Sequence, residues 1–234
     1  MDIEQLRFAS LPSTNAYFKQ HWTEFGPFAF VRADFQSKGK GREDRSWNAS
    51  AGENLLFSML IKKKSLFDHV GLLSLGAALA VTKALEAFGV VDVAIKWPND
   101  VYVSGKKICG ILLEGQLPEY AIVGIGVNIN QKPFAGEYRH PPTSMALELG
   151  KEIDIDALYA EVRKNLLSLF GETRLDGKKM LEEFEAYDFL KGKTVSRMVN
   201  GTVLEGTACG VDEEYRLILK IGDKKTLVYS GEIQ

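Results

Sequence analysis

A part of mixed strand and helix, followed by a small all-β module, is the architecture that this sequence predicts. Three observations carry it. Apolar runs of strand length alternate with helix-length segments up to about Tyr187. After about Leu190 the texture turns to short β runs broken by turns. The composition, 45% apolar and 26% charged over 234 residues, is that of an ordinary folded chain. At about 150 residues per domain, the length suits one large domain, or a large one with a small one. A chain of this size buries roughly 70–75% of its unfolded surface, so it needs no disulfide or metal staple.

The elements follow in order. Phe28–Ala33 and Leu55–Ile61 are apolar runs of strand length. Val70 to Phe88 is long enough for a helix and rich in Leu and Ala, with Gly89 as its stop. Strands are predicted at Val91–Ile95, Val101–Val103, Ile108–Leu113 and Ala121–Val127, with Ser104-Gly105-Lys106 as a tight hairpin turn. Asp154 or Asp156 caps a helix running to about Phe170, whose Leu158, Val162, Leu166, Leu169 stripe has helical spacing. A second helix is read from Gly177 to Tyr187. Thr194–Val199, Thr202–Ala208, Leu217–Ile221 and Thr226–Tyr229 then read as strands, punctuated by Asn200-Gly201 and Gly222-Asp223. Asn-Gly is a strong hairpin signal because both residues tolerate positive φ. About 45 residues built this way suit a barrel of SH3-like size.

Several function classes fall away. The 29 Lys+Arg against 31 Asp+Glu give a net charge of -2, which argues against whole-molecule binding of a polyanion and leaves a local basic patch open. No run of 18 or more uncharged apolar residues exists to span a membrane. Met1-Asp2-Ile3-Glu4-Gln5 has acids where a secretory signal needs basic residues, so a cytoplasmic location is expected. Cys109 and Cys209 form no C-x-x-C and read as reduced apolar residues. His21, His69 and His140 show no metal-ligand spacing.

Chemistry concentrates in three places. Gln36 to Trp47 holds Lys38, Lys40, Arg42 and Arg45 beside Gly39 and Gly41, a composition suited to wrapping an anion. The plainer reading is a solvated charged loop. It is not a dinucleotide fingerprint, since no glycine stands at position 44, and Gly71…Gly76-Ala77-Ala78 lacks the lysine of a phosphate-binding P-loop. In Lys96-Trp97-Pro98-Asn99-Asp100, Pro98 ends a strand and leaves Lys96 at its terminus, as either a functional amine or an exposed turn residue. Gly110, Gly124 and Gly126 interrupt apolar strands, which marks close approach by a ligand or another backbone, or else a bulge.

Ser13-Thr14-Asn15, Gly39-Lys40-Gly41-Arg42-x-x-Arg45-x-Trp47, Lys96-Trp97-Pro98-Asn99-Asp100, Lys107 to Glu114, Gly124 to Asn130 and Gly231-Glu232-Ile233 occur in this order over most of the chain. In that order they resemble the biotin protein ligases. Two departures stand out. The family's loop is usually Gly-Arg-Gly-Arg, and Lys40 replaces its first Arg, keeping charge but not the bidentate fork. Tyr215 stands where a turn glycine is more usual.

The resemblance implies an α+β fold, a mixed sheet packed with helices as in class II synthetases and lipoate ligases, with a catalytic domain over 1–188 and an SH3-like β-barrel over 189–234. It implies that biotin and ATP, with Mg²⁺, form biotinyl-5'-AMP, and that a lysine of a biotin carboxyl carrier protein takes the biotinyl group. Lys96 and Arg42 are then the expected catalytic residues. Ser13, Thr14, Asn15, Gln36, Lys40, Gly41, Arg42, Lys96, Gly110, Gly124 and Gly126 are expected to bind biotin. Gly39, Lys40, Arg42, Arg45, Trp47, Asn99, Lys107 and Asn128 are expected at the nucleotide. No metal ligands are assigned. The Gly-rich loop is expected to act as a lid that keeps water from the mixed anhydride. In some relatives a DNA-reading domain precedes the catalytic one. Here the Ser-Thr-Asn element begins at residue 13, so no specific DNA binding is expected, while a homodimer stays open. The rivals are a lipoate or octanoate ligase or transferase on the related scaffold, and a non-enzymatic biotin sensor.

Overall fold

Seven strands form one sheet in the order β1-β2-β3-β7-β6-β5-β4: β1 Glu4–Phe8, β2 Phe28–Ala33, β3 Asn54–Ile61, β4 Val93–Lys96, β5 Asp100–Val103, β6 Lys106–Gln116 and β7 Tyr120–Asn128. The computed structural model describes residues 3–43, 45–68, 70–134, 138, 141–171, 176–199, 202–229, 231 and 233. Every neighbouring pair is antiparallel except β1–β2, which is parallel. A parallel pair needs a crossover, and helix α1 (Thr14–His21) supplies it. Neither β1 nor α1 was legible as apolar pattern. β1 is an exposed edge strand and α1 buries only Thr14, Asn15 and Phe18.

Helices α4 (Ile155–Phe170) and α5 (Gly177–Glu185) pack on α2 (Gly71–Ala87), and α2 covers the opposite face from α1; a short α3 spans Met145–Leu149. Strand pleating sorts the side chains. Leu55, Phe57, Met59 and Ile61 of β3 join α2 in the main core, while Leu60 joins Phe18 of α1 and Ile122 of β7. Asp154 caps α4 by accepting from the amides of Asp156 (2.9 Å) and Ala157 (3.2 Å). The buried stripe on α4 is Leu158, Val162, Leu166 and Phe170, so Phe170 takes the place expected for Leu169. At Gly76 a β-carbon would lie 2.8 Å from Phe170 and 2.9 Å from Met180, which is why α2 carries a glycine where α4 and α5 approach.

Several boundaries differ from the sequence reading by one to three residues: β6 runs to Gln116 rather than Leu113, β9 to Val211 rather than Ala208, and β11 starts at Lys224 rather than Thr226. β4 begins at Val93 rather than Val91 because Asp92 adopts φ 55°, outside any strand conformation. α5 ends at Glu185, and Tyr187–Phe189 turns to cover the β4 edge: Ile95 donates to the Tyr187 carbonyl (2.7 Å) and Phe189 to that of Ile95 (3.0 Å). The Ser104-Gly105 turn has φ 49° and 75°, the paired positive values of a two-residue hairpin.

A second, antiparallel sheet of four strands follows, ordered β11-β10-β9-β8: β8 Thr194–Val199, β9 Thr202–Val211, β10 Leu217–Ile221 and β11 Lys224–Val228. The expected Asn200-Gly201 turn lies outside the described residues, as do His69, His140 and Glu232. Val195, Ala208, Leu217, Leu219 and Val228 share the main core with α2. The mixed sheet with packed helices and the trailing β module are the architecture the sequence implied. Among the described residues no helix is long and apolar enough to cross a membrane.

Candidate active site

The register of the sheet puts the three strand glycines on one face. Gly110 faces Gly126 across β6–β7, and Gly124 lies between Leu112 of β6 and Ser58 of β3. The start of α1 and the loop from Gln36 to Trp47 lie over this face and enclose a cavity of about 180 Å³.

One end of the cavity is a buried polar network. Ser13 caps α1 through the amide of Ala16 (3.4 Å). The Thr14 amide and hydroxyl both donate to Gln36 Oε1, at 2.7 and 3.1 Å. Ser58 Oγ lies 2.7 Å from Thr14 Oγ1 and 2.6 Å from Asn15 Oδ1. Asn15 Nδ2 donates to Glu114 Oε2 (2.8 Å) and to the Leu112 carbonyl (3.3 Å), and Lys19 Nζ pairs with Glu114 Oε1 at 2.5 Å. Burial raises the Glu114 carboxyl, but the hydrogen bonds from Lys19 and Asn15 outweigh it and hold the group below its ordinary value. A β-carbon on Gly124 would stand 2.3 Å from Asn15 Oδ1, so a glycine is required there for Asn15 to reach the sheet.

The other end is cationic. Lys96 closes β4, buried, with Nζ 5.6 Å from the centre of the Tyr102 ring. Asp100 is its partner across the β4–β5 hairpin, and Asp100 Oδ2 accepts from Lys107 Nζ at 2.7 Å. Asp100 Oδ1 is buried with no hydrogen-bond partner among the described residues. Asn99 ties the turn to β6 by donating to the Ile111 carbonyl (2.5 Å) and accepting from the Ile111 amide (2.9 Å). Its Oδ1 accepts from Arg42 Nη1 at 3.1 Å, so the charged loop is fastened to the Lys96 turn. Lys96, Lys107 and Arg42 thus line the same cavity as Asp100, a cationic surplus among these four that favours an anionic guest.

The loop is a small hairpin of its own. Trp47 donates to the Gly39 carbonyl (2.9 Å), Gly41 to that of Arg45 (2.6 Å), and Lys40 bridges Ser46. Arg45 is exposed and pairs with Glu43 at 3.1 Å. The Trp47 indole lies on the glycines: a β-carbon on Gly110 or Gly126 would each meet it at 2.7 Å. Lys107 Nζ lies 5.6 Å from the ring. Trp47 Nε1 is buried without a hydrogen-bond partner among the described residues.

Most of the residues expected from sequence therefore meet in one place. Ser13, Thr14, Asn15, Gln36, Lys40 and Gly41 line the cavity, as do Arg42, Arg45, Trp47, Lys96, Asn99 and Lys107. The space beside the three glycines, expected for biotin's ring and chain, is taken by Trp47 and Asn15. Gly39 lies buried under the loop, lining an outer cleft with Glu114. Asn128 lies at the end of β7 and donates to the Thr143 carbonyl (3.0 Å), away from the cavity lining. Ser58 and Glu114 were missed as site residues. The signal for Ser58 was present, a lone hydroxyl in the apolar run Leu55–Ile61. Gly231 and Ile233 also reach the cavity, and a second hollow of about 350 Å³ adjoins it, walled by Arg42, Trp97, Asn99, Tyr215, Arg216 and Tyr229 among others. Among the described residues no group of three or more His, Cys, Asp or Glu could hold a metal ion.

The profile of the biotin/lipoate A/B protein ligase family matches residues 8–130. The fold is similar to that of a biotin protein ligase from Aquifex aeolicus in complex with biotin and ATP, with TM-score 0.86 and 28% identity, covering 99% of this chain and 97% of that one. The bifunctional ligase/repressor BirA of Bacillus subtilis is 33% identical over 218 residues, covering 87% of this chain; this chain spans 65% of that relative's length. The biotin–[acetyl-CoA-carboxylase] ligase of Mycobacterium tuberculosis is 28% identical over 207 residues, 86% of this chain and 76% of that one.

Proposed function

Because this chain belongs to the biotin/lipoate A/B protein ligase family, we propose that it activates biotin with ATP as biotinyl-5'-AMP and transfers the biotinyl group to a lysine of a biotin carboxyl carrier protein. The observation that carries this reading is the pairing, in one cavity, of a buried polar network with a cluster of cations beneath a cationic loop. Biotin has an apolar body, a ureido head and a carboxylate. Thr14, Asn15 and Gln36 offer donors and acceptors for the head, Ser58 holds Thr14 and Asn15 from behind, and the carboxylate is directed toward Lys96 and Lys107.

In the first step a carboxylate oxygen attacks the α-phosphorus of ATP. An acyl–phosphate bond forms, and the bond from that phosphorus to the pyrophosphate oxygen breaks. Two anions must meet, and one opposing unit charge 4 Å away is worth about 4 kcal/mol at an effective dielectric near 20. Lys96 and Lys107 supply such charges, and Arg42 holds the adenylate phosphate. Asp100, whose Oδ1 has no hydrogen-bond partner among the described residues, would share in holding a Mg²⁺ ion, which would neutralise phosphate charge. In the second step the carrier's neutral amine attacks the acyl carbon, an amide forms and AMP leaves. Trp47 and its loop over the cavity shield the anhydride from water. Residues 1–188 are taken as the catalytic domain and 189–234 as the β-barrel that abuts it.

Biotin-dependent exchange of pyrophosphate into ATP tests the reading. Exchange with biotin and not with lipoate or octanoate is expected. Exchange with lipoate alone would assign the chain to the other branch of its family, and binding of biotin without exchange would make it a sensor.

A further inference from the structure

The turn that joins β9 to β10 reaches the segment that carries Lys96. In this turn Asp212 Oδ1 accepts from the backbone amides of Glu214 (3.1 Å) and Arg216 (2.8 Å), and Oδ2 accepts from Arg216 Nε (2.6 Å). The Asp212 carbonyl accepts from the Tyr215 amide at 2.9 Å. These bonds wind Tyr215 into the left-handed region at φ 62°, where a bulky side chain is uncommon. Such a conformation persists where the surroundings over-determine it.

The surroundings here belong to the first sheet and its helices. The Tyr215 ring meets Phe184 edge-on at 5.5 Å. A β-carbon on Gly71 would lie 2.9 Å from the Glu214 carbonyl oxygen and 3.2 Å from Tyr215 Cβ, so the tip is wedged against the start of α2. The Tyr215 carbonyl accepts the indole N–H of Trp97 at 2.8 Å, and Trp97 is only 2% exposed. Trp97 follows Lys96 directly, and two residues on, Asn99 holds Arg42.

We propose that the Asp212–Tyr215 tip is a positioning element for the Lys96–Asp100 turn. Asp212 sets the left-handed turn, the turn presents the Tyr215 carbonyl, and that carbonyl fixes Trp97 and with it the placement of Lys96 and Asn99. Asp212 touches no substrate; it acts through Tyr215 and Trp97. The inference rests on the adenylation reading for its kinetic arm only.

The test uses the full chain. Asp212→Ala is expected to lower kcat for biotin-dependent exchange roughly tenfold or more, with KM for biotin changed by less than about twofold. Asp212→Asn, whose remaining side-chain oxygen still accepts both amides, is expected to restore exchange to within about threefold of the parent. Trp97→Phe is expected to lose about as much as Asp212→Ala, and the double variant no more than either, because both act through the same Trp97–Tyr215 hydrogen bond. In a ¹⁵N-labelled chain the Trp97 indole resonance, identified among the three tryptophans by its absence from Trp97→Phe, should shift in Asp212→Ala and stay in place in Asp212→Asn. The proposal is overturned by full exchange in a folded Asp212→Ala or Trp97→Phe chain, by Asp212→Asn as slow as Asp212→Ala, by multiplicative losses in the double variant, or by an unmoved indole resonance. Absence of exchange in the parent chain would overturn the adenylation reading, and the resonance would then decide the tip by itself.

Discussion

Trp47 occupies the space that a side chain on Gly126 would need, with its Cε2 atom 2.7 Å from where that β-carbon would stand. The glycine therefore serves the loop, letting an indole lie flat on the sheet beside Lys107. Gly126→Ala is expected to lift Trp47 off β7. Overpacking of this kind costs roughly 1–3 kcal/mol. The loop should be easier to cleave by limited proteolysis, and biotinyl-AMP should leave faster. An alanine variant with unchanged cleavage and retention would remove Trp47 from the lid.

Arg42 ties the loop to Asn99 by a charge-assisted bond at 3.1 Å. Such bonds contribute about 1.5–3 kcal/mol, so Arg42→Gly should release the adenylate roughly tenfold faster or more. Leaked biotinyl-AMP, and labelling of bystander proteins that have no carrier sequence, are the measurements. Retention equal to that of the parent would detach Arg42 from this role.

Lys96 and Lys107 both line the cationic end of the cavity. With about 4 kcal/mol at stake for one charge at 4 Å, Lys96→Ala should slow exchange by on the order of 10²–10³-fold. Biotin binding without nucleotide should weaken far less. Full exchange in Lys96→Ala would move the assignment to Lys107, whose alanine variant is the natural comparison.

Ser58 sits between Thr14 and Asn15 with no exposure to solvent. Ser58→Ala leaves Asn15 Oδ1 short of a donor in a buried setting, a loss of about 1–3 kcal/mol. Weaker biotin binding by calorimetry, with a lower melting temperature, is expected. Unaltered affinity would make the network purely structural.

Glu114 makes stability depend on acidity. Its carboxyl is held below the ordinary value of 4.5 because the hydrogen bonds from Lys19 and Asn15 outweigh the opposing effect of burial. The group therefore contributes stability above its unfolded pKa, and that contribution is lost as pH falls through the lower folded value. The difference in melting temperature between the parent and Glu114→Gln should be constant near neutrality and shrink below about pH 4.5. A difference that grows on acidification would reverse the assignment.

Much of this molecule is written locally. The apolar runs of β2 and β3 announce strands because both their faces are buried, and the positive-φ turn at Ser104-Gly105 is legible from a two-residue signal. The Asp154 cap and the stripe on α4 follow from helical spacing. Motif order also brought Ser13, Arg42, Lys96 and Lys107 together before any coordinates. β1 and α1 escaped because an edge strand and a crossover helix bury few side chains, so neither leaves an apolar period to read. The place of Asn128 in a motif suggested a ligand contact, and what no local pattern announced is that its amide nitrogen donates to the Thr143 carbonyl.

By itself, then, the sequence determined most of the strands and helices, β1, α1 and the short α3 apart, and which residue types gather at the site, since periodicity, caps and turns act over a few residues. Only the tertiary structure decided what fills the hollows beside Gly110, Gly124 and Gly126, and that the tip at Tyr215 meets Trp97 across 118 positions. Those outcomes depend on strand order and on the closeness of distant backbones, and no local pattern encodes either.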